Sequence, residues 1–165
     1  LMAAGRASEG MAQYEQALRF QPDYAVAERN LGLALATAGR TAEALPHFER
    51  AVRLKPDYAA AELNWAVALL LTDRFAEAVP HFEKANTLDP NSAEARNAYG
   101  RALARREQFD AAVAQFEDAL RLNSDFAEAH LNLALVLRQL GRTDEAARHY
   151  REALRLNPSL GAGPP

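Results

Sequence analysis

The feature that most constrains the fold of this chain is a repeat of 34 residues that is marked by proline. Four prolines are separated by 34, 34 and 68 residues, and they are Pro22, Pro56, Pro90 and Pro158. Ser124 occupies the place of the missing member. A period of this length indicates a supersecondary unit that buries its apolar face only by stacking on its neighbours. We therefore expect an array of similar units.

The repeats are numbered so that position 1 of each is an alanine: Ala25, Ala59, Ala93 and Ala127. The predicted domain organisation is a single array over residues 1–160, followed by a tail over 161–165. Within the array a partial repeat precedes repeats 1 to 4, with the bounds 1–24, 25–58, 59–92, 93–126 and 127–160.

Other positions of the repeat are equally regular. Position 24 is always aromatic: Tyr14, Phe48, Phe82, Phe116 and Tyr150. Position 27 is always alanine: Ala17, Ala51, Ala85, Ala119 and Ala153. Position 8 is small (Gly32, Ala66, Gly100, Ala134), as is position 20 (Ala44, Ala78, Ala112, Ala146). Small residues let two helices approach closely, and the aromatic ring fills the space between them.

The composition favours helices over strands. The chain of 165 residues has 37 alanines and no isoleucine, with only 6 valines and 5 threonines to cover a pleated sheet. The predicted fold class is all-α, built from antiparallel helix pairs. The predicted helices cover 7–20, 25–38, 41–54, 59–71, 75–87, 93–105, 109–121, 127–140 and 143–156. Between paired helices, Gly39 and Gly141 suit a left-handed turn. Asp73 and Glu107 in the other two repeats must make the turn either under strain or in a different way.

This pattern of small, aromatic and proline positions resembles the tetratricopeptide repeat family over nearly the whole chain. The resemblance implies a right-handed superhelix of helix pairs whose first helices line a concave groove. Repeats 1 and 4 are also similar to those of O-linked N-acetylglucosamine transferases and of bacterial tetratricopeptide proteins. In the transferases, an asparagine ladder at position 6 grips the backbone of an extended peptide. Position 6 here reads Asn30, Asn64, Ala98 and Asn132, with Asn97 one place earlier in repeat 3.

The predicted binding surface extends around this ladder. An amide both donates and accepts a hydrogen bond, so asparagine suits a peptide unit whatever its side chain. Leucines and valine make the groove apolar in the first two repeats, and arginines make it cationic elsewhere. The predicted partner-binding residues are Asn30, Asn64, Asn97, Asn132, Arg29, Leu33, Leu63, Val67, Leu70, Arg101, Arg105 and Arg138. Two alternatives to ligand binding stay open. In the first, the asparagines satisfy neighbouring polar groups; in the second, the leucines only pack between helices.

Several function classes are disfavoured. Without cysteine there is no thiolate chemistry, and a net charge of -3 provides no basic field for nucleic acid. The longest apolar run, 65–71, is too short to cross a membrane. His47, His81 and His149 share position 23 and, spaced like stacked helices, cannot converge on one metal ion, while His130 stands alone at position 4. We expect no catalytic residue, no metal site and no cofactor.

The leading functional hypothesis is a cytoplasmic protein-interaction module that holds an extended peptide or partner segment in its groove. Two alternatives are a targeting domain of a larger enzyme, such as a glycosyltransferase whose catalytic domain lies elsewhere, and a self-assembling scaffold. The two ends favour self-association because neither has a terminal unit with a polar outer face. We expect Met11, Tyr14 and Leu18 at one end, and Ala147, Tyr150 and Leu154 at the other, to be partly open.

Overall fold

A computed structural model describes the backbone of residues 2–161 and the side chains of residues 9–161. Over this range the chain is helical without a strand, which confirms the predicted all-α class. The helices form two compact units, residues Leu1–Pro90 and Asn91–Pro165. Most of the predicted tail, 162–165, lies outside the described residues; its first residue, Gly161, ends a short 3-10 helix.

The first unit contains five helices. They are α1 (Met2–Phe20), α2 (Ala25–Thr37), α3 (Thr41–Leu54), α4 (Ala59–Leu71) and α5 (Phe75–Leu88). Each helix packs on the next, and α2 also touches α4. The first helices of repeats 1 and 2 therefore lie side by side.

The second unit repeats this arrangement. Its helices are α6 (Ala93–Arg105), α7 (Phe109–Leu122), α8 (Ala127–Gln139) and α9 (Thr143–Leu156), followed by the 3-10 helix Pro158–Gly161. Again each helix packs on the next, and α6 touches α8. No helix among the described residues is both long enough and apolar enough to cross a membrane.

The predicted helix bounds agree with the structure to within one residue at each end, with one exception. Helix α1 begins at Met2, five residues before the predicted start at residue 7. The prediction followed the packing positions of the repeat, which mark only the core-facing part of a helix. Met2, Ala3 and Ala4 extend it because methionine and alanine are strong helix formers.

The aromatic at position 24 forms the centre of each helix pair. Phe48, Phe82 and Phe116 are completely buried. A Cβ atom added to Gly32 would lie 2.8 Å from Phe48 Cε1, so the first helix approaches the ring as closely as glycine allows. In repeat 4 the equivalent Tyr150 is 41% exposed, because no further helix among the described residues covers it.

The turn between paired helices is the same in all four repeats. The backbone at position 15 is left-handed, with φ of 79° at Gly39 and 75° at Gly141. The non-glycine residues there adopt the same conformation, with φ of 58° at Asp73 and 60° at Glu107. The strained alternative is therefore the one found in repeats 2 and 3, since a Cβ atom disfavours this region.

Candidate functional site: the face of the first helices

The predicted binding residues lie on the first helices of the repeats. Within each unit two of these helices run side by side, α2 with α4 and α6 with α8. Residues from neighbouring repeats are thereby brought together on one surface within each unit. We call this surface the first-helix face of the unit: positions 5, 6, 9 and 12 of each first helix.

In the first unit a guanidinium group joins the two asparagines of the ladder. Arg29 Nη1 donates to Asn30 Oδ1 at 3.1 Å. The amide oxygen of Asn64, in the orientation that its neighbours favour, accepts from Arg29 Nε at 2.9 Å and from Nη2 at 3.2 Å. All three side chains are half-buried. Arg29 thus holds both amides in place and uses their oxygens to do so.

Apolar side chains surround this polar bridge. Leu33 is 40% exposed on α2, whereas Leu63, Val67 and Leu70 on α4 are half-buried. Because α2 and α4 are neighbours, a ligand on the first-helix face of this unit would meet hydrocarbon beside the amides.

In the second unit the two asparagines bind each other. Asn132 Nδ2 donates to Asn97 Oδ1 at 3.0 Å, and Asn97 is only 7% exposed. The pair lines an open pocket of about 360 Å³ together with Arg101, Glu128 and Leu131. Glu128 and Leu131 were not among the predicted site residues. They occupy positions 2 and 5 of repeat 4, which lie one helical turn apart on the same side of α8.

The remaining predicted arginines lie further along the surface. Arg105 is exposed at the end of α6, and it has an interaction partner. Arg138 is exposed on α8, where it lines a second pocket of about 460 Å³ with Leu135, Tyr150 and Leu160. This second pocket lies at the α8–α9 end of the unit.

The two hydrogen-bonded pairs share one spacing. Arg29 and Asn64, like Asn97 and Asn132, join position 5 of one repeat to position 6 of the next, 35 residues later. Such a bond links neighbouring first helices through their side chains. One alternative was that the asparagines satisfy neighbouring polar groups. In the first unit this is what the oxygens of Asn30 and Asn64 do, and in the second unit it is what Asn97 does.

A second polar system, missed by the sequence analysis, lies between the paired helices. Glu28 and Glu62, at position 4, are 3% and 0% exposed. Each carboxylate is held by two partners from the second helix of its own repeat. Glu28 accepts from His47 Nδ1 at 2.7 Å and pairs with Arg50 Nε at 3.0 Å.

Repeat 2 has the same arrangement with a different cation. Glu62 accepts from His81 Nδ1 at 2.6 Å and pairs with Lys84 Nζ at 2.7 Å. The ring of His81 also lies against Trp65, with centroids 3.9 Å apart. His47 and His81, both at position 23, are therefore structural partners of a buried carboxylate.

The last two repeats change the chemistry at these positions. In repeat 3 the charges are exchanged, and Arg96 Nη1 lies 3.4 Å from Asp118 Oδ2. In repeat 4 both positions are histidine, and His130 Nδ1 lies 2.9 Å from His149 Nδ1. The sequence signal was available, because the pairs recur at separations of 19 and 22 residues.

One polar side chain is buried without full compensation. Asn86 is 8% exposed, and within the described residues its Oδ1 has no hydrogen-bond partner. The other repeats have an apolar residue at this position, 28. Its unpaired oxygen is therefore a local defect in packing.

The surface ion pairs follow the repeat as well. Arg40 Nε donates to Glu43 Oε1 at 2.8 Å at the start of α3, and repeats 2 and 4 have the equivalent pair. The hydrogen bond from Arg40 holds the pKa of Glu43 below its ordinary value. Both groups are exposed, so solvent screens the interaction strongly.

Known structures share this fold. A crystal structure of MamA has a TM-score of 0.84 and 20% identity, with 98% of this chain and 95% of that chain covered. MamA from Desulfovibrio magneticus RS-1 has a TM-score of 0.83 and 21% identity, over 97% and 90% of the two chains. YrrB, described as a TPR protein with an unusual peptide-binding site, has a TM-score of 0.75 and 23% identity, over 96% and 81%. No curated protein sequence matches the chain.

The fold and the paired first helices define a helical-repeat protein of the kind that serves protein–protein interaction or scaffolding. The tetratricopeptide repeat model matches residues 1–59, 29–93, 63–113 and 97–160. The chain belongs to the tetratricopeptide repeat family. This match indicates no catalytic family.

Proposed function

We propose that the first-helix face binds an extended segment of a partner protein. The observation that carries the proposal is the Arg29 bridge in the first unit. It occupies the oxygens of Asn30 and Asn64, so the amide N–H groups are the part offered to a ligand. Peptide carbonyl groups would accept from them whatever the ligand sequence.

The second unit would contribute in a different way. Asn97 is buried, so in this proposal it positions Asn132 rather than touching the ligand. The pocket beside this pair combines the guanidinium of Arg101 with the apolar side chain of Leu131. A ligand with an acidic group and an apolar side chain would complement it, while Glu128 would disfavour a second acidic group nearby. A peptide-binding site in YrrB, a protein of the same fold, supports the class of ligand.

The test begins with peptides selected from a display library of random linear sequences on the whole chain. Their affinity is measured by fluorescence anisotropy for the chain and for a variant with Asn30, Asn64 and Asn132 changed to alanine. We expect the variant to bind about tenfold or more weakly, because each lost hydrogen bond contributes roughly 0.5–1.5 kcal/mol. Affinities are compared at a temperature at which both proteins are folded, because the variant leaves buried Asn97 without its donor Asn132.

A matched control changes the same number of exposed side chains away from this face. Glu49, Glu83 and Glu117 share position 25 on the second helices and are exposed. Their triple alanine variant should bind normally. Equal affinity of the asparagine variant and the chain, or a loss of affinity that follows a loss of stability, would contradict the proposal. Methylation of the backbone nitrogens of the ligand should preserve its binding, because the proposed contacts are made to its carbonyl groups.

A second candidate function is association of two copies through the α8–α9 end. Tyr150 is 41% exposed there, whereas its equivalents Phe48, Phe82 and Phe116 are completely buried. Ala147 is exposed and Leu154 half-buried, as are Met11, Tyr14 and Leu18 on α1. Burying Tyr150 and Leu135 against a second copy would remove apolar surface from water.

Light scattering from micromolar to millimolar protein distinguishes this candidate. We expect the mass to rise with concentration, and the rise to disappear when Leu135 is changed to lysine. A monomeric mass at all concentrations, or an identical rise in the lysine variant, would contradict association through this end.

A further inference from the structure

The two histidines of repeat 4 face each other across one helix pair. His130 on α8 and His149 on α9 direct the same ring nitrogen at each other, with 2.9 Å between the Nδ1 atoms. The ring centroids are 5.1 Å apart and the planes are inclined by 30°. Two nitrogen ligands at about 2.0–2.1 Å from a tetrahedral ion lie roughly 3.3 Å apart. To hold one ion, both rings must turn so that the Nδ1 atoms separate and their lone pairs converge.

The hydrogen bond on the other side of His130 sets its tautomer. Nε2 lies 3.1 Å from the carbonyl oxygen of Ser124, so it carries the proton and donates. Nδ1 of neutral His130 therefore presents a lone pair toward His149. A backbone carbonyl in this role is the usual outer partner of a metal-binding histidine.

Charged groups lie near the pair, and two of them are acidic. Glu117 on α7 and Glu145 on α9 are close enough to His149 to interact with it electrostatically, as is Arg148. Neutral imidazole is the form that binds metal ions, and nearby carboxylates favour a cation.

The repeat identifies a third ligand. The side chain at position 26 reaches position 4 in repeats 1 to 3: Arg50 to Glu28 at 3.0 Å, Lys84 to Glu62 at 2.7 Å, and Asp118 to Arg96 at 3.4 Å. In repeat 4 these positions are Glu152 and His130. Glu152 here accepts from Arg155 at 2.7 Å.

We propose that His130, His149 and Glu152 bind one divalent transition-metal ion, of which Zn²⁺ is the best fit. Two imidazoles and one carboxylate are a common donor set for zinc, with water in the fourth place. Among the described residues no three such side chains are already gathered, so Glu152 turns from Arg155 when the ion binds. The proton on His149 Nδ1 moves to Nε2, which leaves both Nδ1 lone pairs for the ion without net proton release.

Calorimetric titration of the whole chain with ZnCl₂ at neutral pH tests the proposal. We expect one Zn²⁺ per chain, and no measurable binding to the His149→Asn variant. The Glu152→Gln variant should bind about tenfold or more weakly, the lower end of the loss typical for a perturbed zinc site. His47→Asn removes a histidine of the same repeat position in the other unit, and its Zn²⁺ binding should equal that of the unaltered chain.

A second measurement does not depend on how the variants fold. Titration of the unaltered chain with CoCl₂ should produce the visible absorption of four-coordinate Co²⁺, which ZnCl₂ should remove. The imidazole resonances of His130 and His149 should shift together, while those of His47 and His81 stay. No Zn²⁺ binding by the chain, or equal binding by a folded His149→Asn variant, would overturn the site. Equal binding by Glu152→Gln would overturn the three-ligand assignment.

Discussion

Repeats 2 and 3 have the same helices and the same core but opposite polar chemistry. Phe82 and Phe116 are both completely buried at position 24, each beside a buried alanine at position 27. At position 4, however, repeat 2 has the carboxylate of Glu62 and repeat 3 the guanidinium of Arg96, each with a partner of opposite charge. The fold therefore requires complementary charges at this point and does not prescribe their order.

The same contrast extends to the first-helix face. Repeat 2 presents Leu63, Val67 and Leu70, whereas repeat 3 has Asn97 and Arg101 on the same stripe. These positions differ between the two repeats, whereas the buried positions 24 and 27 do not change in character. The comparison separates residues that build the repeat from residues that give each repeat its own surface.

The shared core provides the largest expected effect. Phe82→Ala and Phe116→Ala should each destabilise the protein by about 3–5 kcal/mol, through lost burial and the remaining cavity. Denaturant unfolding followed by circular dichroism measures both. A loss below about 1 kcal/mol in either would mean that position 24 is not an equivalent core site in the two repeats.

The exchanged charges give the next test. Glu62→Lys should destabilise by about 3–5 kcal/mol, because it leaves like charges buried beside Lys84. Adding Lys84→Glu recreates the order found in repeat 3 and should recover much of that loss. A double variant no more stable than the single one in chemical denaturation would show that the order of charges is fixed in repeat 2.

Position 8 distinguishes the two repeats by one methyl group. Repeat 2 has Ala66, whereas a Cβ added to Gly100 would lie 2.7 Å from Phe116 Cε1. Gly100→Ala should therefore destabilise by about 1–2 kcal/mol, even though alanine favours the helix. Thermal unfolding of this variant beside Ala66→Gly measures the difference, and a stabilised Gly100→Ala variant would show that the ring moves freely.

The smallest expected effect concerns the strained turns. Glu107→Gly should stabilise by roughly 0.5–1 kcal/mol, since the relief at positive φ exceeds the added freedom of the unfolded chain. Glu107→Ala keeps the Cβ atom and is the matched control, for which we expect almost no change. Asp73 is a less clear site because it has a further interaction. Equal stability of the glycine and alanine variants would mean that the turn is not strained.

The helices and the core could be predicted from the sequence because they recur in register. The proline position of the repeat lies just after the second helix, and the small and aromatic positions mark the surfaces that pack. The bounds of eight of the nine described helices were therefore predicted closely. The start of α1 was not, because Met2 to Ala4 have no packing role in the pattern.

The polar contacts were less predictable. Histidines were compared along one repeat position, whereas their partners are at position 4 of the same repeat, as for Glu62 and His81. A search for complementary residues 19 and 22 apart would have found these pairs. The Arg29 bridge depends on the conformation of a long side chain, which no spacing determines.

The most direct test of the proposed function is an NMR titration of the side-chain amides with a peptide selected on the whole chain. We predict that the amide signals of Asn30, Asn64 and Asn132 shift and saturate together with the bound fraction. Asn123 and Asn157, which lie at the ends of second helices, should keep their positions. Shifts confined to Asn123 or Asn157, with the first-helix asparagines unchanged at saturation, would contradict peptide binding on the first-helix face.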